Sequence, residues 1–139
     1  MSWKYRSTTT WLDEEGKHGK MEMDSGYSIE FHKPSEFGGV DGIINPEDAF
    51  VASLAMCFSI TFQEITDKMR MEIEDFELET EGILEEGEEG KEFTKIILRP
   101  KVKTDAPESK VQRAVELTKK NCLIARSMKS EIVIETEFL

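Results

Sequence analysis

The sequence predicts a single α+β domain over residues 1–139, and three observations carry that prediction. Residues alternate apolar and polar in the first third of the chain. A long apolar pattern at helical spacing follows from Asn45 to about Met69. After it come two strand-like runs, a second amphipathic helix and a last strand. No repeat or linker interrupts this order, and grouped strands separated by helices are the mark of an α+β chain.

Each element has its own signal. Trp3, Tyr5, Ser7 and Thr9 share one face of a strand; Met21 and Met23 mark a second, and Tyr27, Ile29 and Phe31 a third. Glu15-Gly16, His18-Gly19 and Ser25-Gly26 read as turns, and the glycine-rich stretch Phe37 to Gly42 ends the strand region. Asn45 suits an N-cap, Pro46 the first helical position, and Glu47 and Asp48 the positive end of the helix dipole. Phe50, Leu54, Phe58, Thr61, Ile65 and Met69 then recur every three or four residues, widened by Val51, Ala52 and Ala55. Met71 and Ile73 alternate in the opposite phase to Phe76, Leu78 and Thr80, which predicts a bulge near Glu74-Asp75. Glu85 to Gly90 reads as a solvated hairpin tip, and Ile96, Leu98 and Val102 define the returning strand. Val111, Ala114, Val115, Thr118 and Cys122 fall on one side of a helix starting near Pro107-Glu108, and Ile132, Ile134 and Phe138 form one face of the last strand.

Composition narrows the partners. The net charge is −11, from 29 acidic and 18 basic residues, so a nucleic acid or an anionic membrane surface would be repelled. The mostly apolar run Ala49 to Phe62 is read as too short to span a bilayer, with Ser53, Ser59 and Thr61 interrupting it. Without an apolar leader at Met1 to Arg6, the expectation is a cytoplasmic protein. His18 is placed in a turn and His32 at a strand end, neither with a second ligand at metal spacing, so no metal and no cofactor is expected. No phosphate-binding glycine loop or nucleophile elbow is present.

Chemistry centres on two cysteines. Cys57 lies about three turns into the long helix, within its apolar run. Apolar burial alone would raise its pKa and leave it inert, so a reactive Cys57 requires a cation or a hydrogen-bond donor nearby. Cys122 ends the second helix on its inward side. Two inward-facing thiols are able to meet, and a disulfide needs their Cα atoms within about 7 Å; two separate core thiols satisfy the same pattern.

The stretch Asn45-Pro46-Glu47-Asp48-Ala49-Phe50-Val51-Ala52-Ser53-Leu54-Ala55-Met56-Cys57-Phe58 resembles the central-helix signature of the OsmC/Ohr family. Lys120-Asn121-Cys122-Leu123-Ile124 is similar to that family's second cysteine segment, where proline commonly stands in place of Leu123. Thr10 to Phe31, followed by Pro34 to Gly39, also fits. The resemblance implies an OsmC-like fold: an intertwined homodimer with antiparallel sheets on long central helices and sites at the subunit boundary. It implies a thiol-dependent peroxidase for organic hydroperoxides, with Cys57 oxidised to a sulfenic acid, Cys122 resolving it as a disulfide, and a dithiol reducing that disulfide. Glu47 matches the family's glutamate. The family's arginine, in a Gly-Arg-x-Gly turn, is matched here by Lys17 in Gly16-Lys17-His18-Gly19, with Lys20 and Arg6 as possible substitutes. Lysine keeps the charge but lacks the planar fork. The apolar residues Phe50, Leu54, Phe58 and Phe62 would line a site suited to an alkyl or lipid hydroperoxide. On one straight helix Glu47 and Cys57 stand about 15 Å apart, so either the helix breaks between them or the glutamate serves a partner chain's site. The other reading is a non-catalytic dimeric relative that binds an apolar ligand or senses oxidation.

Overall fold

The computed structural model describes all residues, Met1–Leu139, and the chain forms two compact units, Met1–Phe50 and Val51–Leu139. The first unit is an antiparallel meander of β1 (Ser7–Trp11), β2 (His18–Met23) and β3 (Ser28–His32). Trp3 and Tyr5 lie ahead of β1 rather than in it. Ser7 pairs with Met23, the last residue of β2, and the chain turns there with the Gly26 N–H bonded to the Met23 carbonyl at 2.9 Å; the ladder ends in one further bond, from the Asp24 N–H to the Arg6 carbonyl at 3.1 Å. His18-Gly19 is likewise strand and not turn. The Asp13 carboxylate accepts the Lys17 N–H at 3.0 Å and the His18 N–H at 3.4 Å, which closes the turn one step earlier and lets β2 begin at His18. This register pairs His18 with His32, and their rings stack at 5.8 Å.

Helix α1 (Pro46–Lys68) starts as its sequence dictates. The Asn45 side chain accepts the Asp48 N–H at 2.7 Å and donates back to the Asp48 carboxylate at 3.0 Å, satisfying an otherwise unpaired first-turn donor. The helix ends in a Schellman pair, Met71 N–H to the Thr66 carbonyl and Arg70 N–H to that of Asp67, with Arg70 at φ 55°. With 23 residues, α1 is long and apolar enough to cross a bilayer by length and composition, contrary to the expectation from Ala49 to Phe62 alone. The hydroxyls do not interrupt the helix: that of Ser59, for example, donates to the Ala55 carbonyl at 2.9 Å. Leu54, Phe58, Phe62 and Thr66, four residues apart, face the protein interior.

The second unit is built on a long hairpin, β4 (Ile73–Gly87) and β5 (Gly90–Thr104), turning at Glu88-Glu89. The register shift between Ile73 and Asp75 is the bulge that the phase change predicts. Helices α2 (Glu108–Asn121) and α3 (Leu123–Ser127) then return the chain to β5, where β6 (Glu131–Ile134) and β7 (Glu137–Phe138) both pair parallel to it. The sheet is therefore mixed and not purely antiparallel, because a helical crossover brings the chain back in the same direction. The last strand is split in two where its ladder passes Pro100, which has no N–H to give.

Leu54 and Phe58 of α1, Ile96 and Leu98 of β5, and Val111 and Ala114 of α2 are fully buried and form the centre of the core, with Phe62 stacked on Phe76 at 4.9 Å. Alternation along β5 sends the intervening residues to the opposite face of the sheet. There Arg99 bonds Glu79, Glu81 and Glu135 at 3.3, 2.9 and 2.9 Å. Helix α1 approaches the sheet closely at Gly82, where a Cβ would stand 2.6 Å from a Val51 methyl and 2.9 Å from the Phe93 ring.

Candidate active site

Cys57 and Cys122 come from different elements and meet at the edge of this core. Cys57 projects from the middle of α1 and is half-buried; Cys122 joins α2 to α3 and is fully buried. Both thiols are free, and each influences the ionisation of the other.

The chain places Cys122 there for a local reason. Helix α2 buries Val111, Ala114, Val115 and Thr118, and Cys122 continues that stripe as the residue after the last turn, its N–H bonded to the Thr118 carbonyl at 2.9 Å. At φ −71° and ψ 111° the backbone turns extended for this one residue and then enters α3. The first backbone bond into α3 is from the Arg126 N–H to the Cys122 carbonyl, at 3.0 Å. The N–H groups of Leu123, Ile124 and Ala125 consequently have no helical acceptor. Their influence falls on the sulfurs: the amides of Ile124 and Leu123 lower the pKa of Cys57, and those of Ala125 and Ile124 lower that of Cys122.

This arrangement separates the two thiols electrostatically. Burial pushes the Cys57 thiol up, but the Ile124 N–H, the Cys122 thiol, the Thr61 hydroxyl and the Leu123 N–H together outweigh it and hold Cys57 below the ordinary thiol range. Burial pushes Cys122 up as well. There the Ala125 N–H opposes it only in part, while the hydrogen bond to Cys57 and the charge that Cys57 carries as a thiolate raise it further. Cys57 is thus the thiol prepared to ionise and Cys122 the one prepared to keep its proton, and only the thiolate is an effective nucleophile. The groups that lower the Cys57 pKa are two backbone amides and two uncharged side chains. Of these, the Thr61 spacing, one turn beyond Cys57, was visible in the sequence; the amides carry no sequence signal.

The remaining candidates lie in the first unit or at its end. Lys17 is exposed, and its ammonium is held by the Glu15 carboxylate at 2.9 Å, a hydrogen bond that raises its pKa. Lys20 pairs with Glu22 at 3.2 Å and Arg6 with Asp24 at 3.8 Å. Glu47 is half-buried in the first turn of α1. The helix is continuous from Pro46 to Lys68, which removes the broken-helix explanation for the distance from Glu47 to Cys57. Leu54, Phe58 and Phe62 are core residues with at most 2% exposure, so they pack the interior and do not line a site. His18, in β2, pairs with Glu30 at 2.9 Å.

Comparisons with known proteins agree on the family. Residues 39–137 match the family described as OsmC-like protein. An uncharacterized protein of Bacillus subtilis, YmaD, is 31% identical over 109 residues, covering 75% of this chain and 73% of its own. An OsmC-like protein of unknown function from Vibrio cholerae superposes with a TM-score of 0.88 at 25% identity, over 97% of this chain and 99% of that one. An organic hydroperoxide resistance protein from Elizabethkingia anophelis has the same fold, with a TM-score of 0.82 at 18% identity and coverage of 99% and 96%. A chain with this sequence match across most of its length, and with this α+β fold, belongs to the OsmC-like family.

Proposed function

We propose that the protein is a thiol-dependent peroxidase that reduces organic hydroperoxides in oxidative-stress defence. One feature carries this reading: two free cysteines that influence each other's ionisation, with the Cys57 pKa lowered and the Cys122 pKa raised. The Cys57 thiolate attacks the terminal peroxide oxygen, the O–O bond breaks, and the alkoxide leaves and takes a proton to become the alcohol. The resulting Cys57 sulfenic acid condenses with the Cys122 thiol, forming the S–S bond and releasing water. An external dithiol then reduces the disulfide by exchange, itself becoming oxidised. The fold is shared with proteins named for organic hydroperoxide resistance, which supports the substrate class.

Glu47 and a basic residue, Lys17 in first place, complete the proposed site. The reading includes a homodimer in which Glu47 serves the partner's Cys57. The unbroken α1 supports this, as do Met56 and Ile60, apolar side chains 62% and 61% exposed on that helix. A cytoplasmic location fits two thiols kept reduced. The second reading, a non-catalytic dimer that binds an apolar ligand or senses oxidation, draws on the pairing of Lys17, Lys20 and Arg6 with acids of their own unit.

The test is stoichiometric. Reduced protein is treated with one equivalent of cumene hydroperoxide, and intact mass and free thiols are measured. The peroxidase reading expects both thiols to be consumed and two hydrogens lost, with no reaction in Cys57→Ser. Thiols that persist after prolonged exposure contradict it. The dimer is tested by sedimentation, and a folded, fully active monomer would count against Glu47 acting in trans.

A further inference from the structure

The chain has two histidines, and the first unit sets them side by side. Their spacing in the sequence offers neither one a second ligand; the strand register does. His18 and His32 are direct cross-strand partners in the β2–β3 ladder, so both side chains leave the same face of the meander. Their ring centres lie 5.8 Å apart. Two imidazoles bound to one ion through nitrogen, at about 2.0–2.1 Å, have centres about 4.5–5.3 Å apart. The pair therefore stands within about 1 Å of a chelating separation.

The second nitrogen of His32 is already used. Its Nδ1 lies 3.3 Å from the Lys33 carbonyl oxygen. A carbonyl only accepts, so Nδ1 carries the proton, and the neutral ring keeps its lone pair on Nε2. A main-chain carbonyl bonded to the other ring nitrogen is a usual orienting partner of a metal-bound histidine. At His18, the Glu30 carboxylate comes within 2.9 Å of Nε2. Yet that nitrogen is closed to solvent and makes no hydrogen bond, so the carboxylate is near but out of line. A nitrogen lone pair beside a carboxylate attracts a cation. Lys20, which faces Glu30 across the ladder, does not supply it, because its ammonium is held by Glu22 at 3.2 Å.

We propose that His18 and His32 form a chelating pair for a divalent transition metal of the zinc or copper class, with Glu30 as the adjoining negative charge. Imidazole nitrogen suits these ions, whereas magnesium and calcium take oxygen ligands. No three carboxylate, thiol or imidazole groups are gathered to enclose an ion, so the site is an open one, with two protein ligands and water at the other positions. The net charge of −11 raises the local concentration of cations. All of these groups lie within Met1–Phe50, and the site is independent of the thiol chemistry.

The experiment is a titration of the reduced full-length protein with zinc chloride, followed by the imidazole NMR signals. These read each histidine separately and do not report zinc taken by the thiols. The Nε2 signals of His18 and His32 should move together, with one common midpoint. Magnesium chloride at the same concentrations should move neither. His32→Gln should weaken the response at His18 by about tenfold or more, because the second ligand of the chelate is lost, and His18→Gln should do the same at His32. Glu30→Gln should weaken both several-fold by removing a charge beside a divalent ion.

Separate midpoints for the two histidines overturn the proposal. So does an undiminished response at His18 in His32→Gln, or an equal response to magnesium. Should a histidine variant not fold, the wild-type midpoints and Glu30→Gln decide, with a Glu30→Gln midpoint equal to that of the wild type counting against.

Discussion

The two units of the chain are stabilised in different ways. The buried apolar core lies entirely within Val51–Leu139, from Leu54 through Ile132, and the two thiols are packed into its edge. Met1–Phe50 holds a three-stranded meander with β1 exposed along its whole length, and Trp3, Tyr5, Trp11 and Tyr27 exposed to solvent. Its charged residues are satisfied locally: Lys17 by Glu15, Lys20 by Glu22, Arg6 by Asp24. The contrast bears on function. In the second unit the Cys57 pKa is lowered by groups of that same unit, the Ile124 and Leu123 amides, the Cys122 thiol and the Thr61 hydroxyl. The first unit carries cations whose exposed ion pairs contribute little to stability and exchange readily with solvent.

The largest expected effect breaks the comparison at its firmest point. Phe58→Ala empties a fully buried aromatic position beside Cys57 and should destabilise by about 3–5 kcal/mol, measured by urea unfolding. A cost near that of a surface substitution would mean that the core of the second unit is not where the structure puts it. Next, Gly82→Ala places a methyl 2.6 Å from Val51 and against the Phe93 ring, where α1 rests on the sheet. Overpacking of this kind should cost about 1–3 kcal/mol.

A third prediction sharpens the division of chemical roles. Lys17→Met should slow oxidation by cumene hydroperoxide several-fold, measured as second-order thiol loss, as expected of a residue that acts on the peroxide. It should leave the pH midpoint of iodoacetamide alkylation at Cys57 within about 0.3 of a unit, since one unit corresponds to 1.36 kcal/mol and the groups that lower the Cys57 pKa belong to the second unit. A large midpoint shift would move the origin of the thiolate to the first unit. The smallest effect is expected at Arg70, whose φ of 55° suits glycine. Arg70→Gly should stabilise by about 0.5 kcal/mol, the relief of a left-handed conformation less the extra freedom that glycine gives the unfolded chain.

How much of this was legible in the sequence depended on whether side chains or backbone carried the signal. The Asn45 cap, the four-residue stripe on α1, the bulge after Ile73 and the inward face of α2 are all side-chain patterns, and each was readable. Helix α3 was not, because five residues beginning Leu-Ile show no period and Cys122, lacking an oxygen, gives no capping signal. The parallel docking of β6 and β7 depends on a crossover path, which hydrophobic alternation does not encode. The candidate site divides along the same line. Cys57, Cys122 and the spacing to Thr61 stand in the sequence, whereas the amides of Leu123 and Ile124 become donors only once α3 exists.

The central claim is that Cys57 attacks and Cys122 resolves. The most direct measurement is peptide-resolved mass spectrometry of Cys122→Ser after one equivalent of cumene hydroperoxide, with a sulfenic-acid trap present. The account predicts one added oxygen, trapped at Cys57, and no intramolecular disulfide. The same oxygen appearing on Cys122 in a Cys57→Ser variant, at a comparable rate, would contradict it.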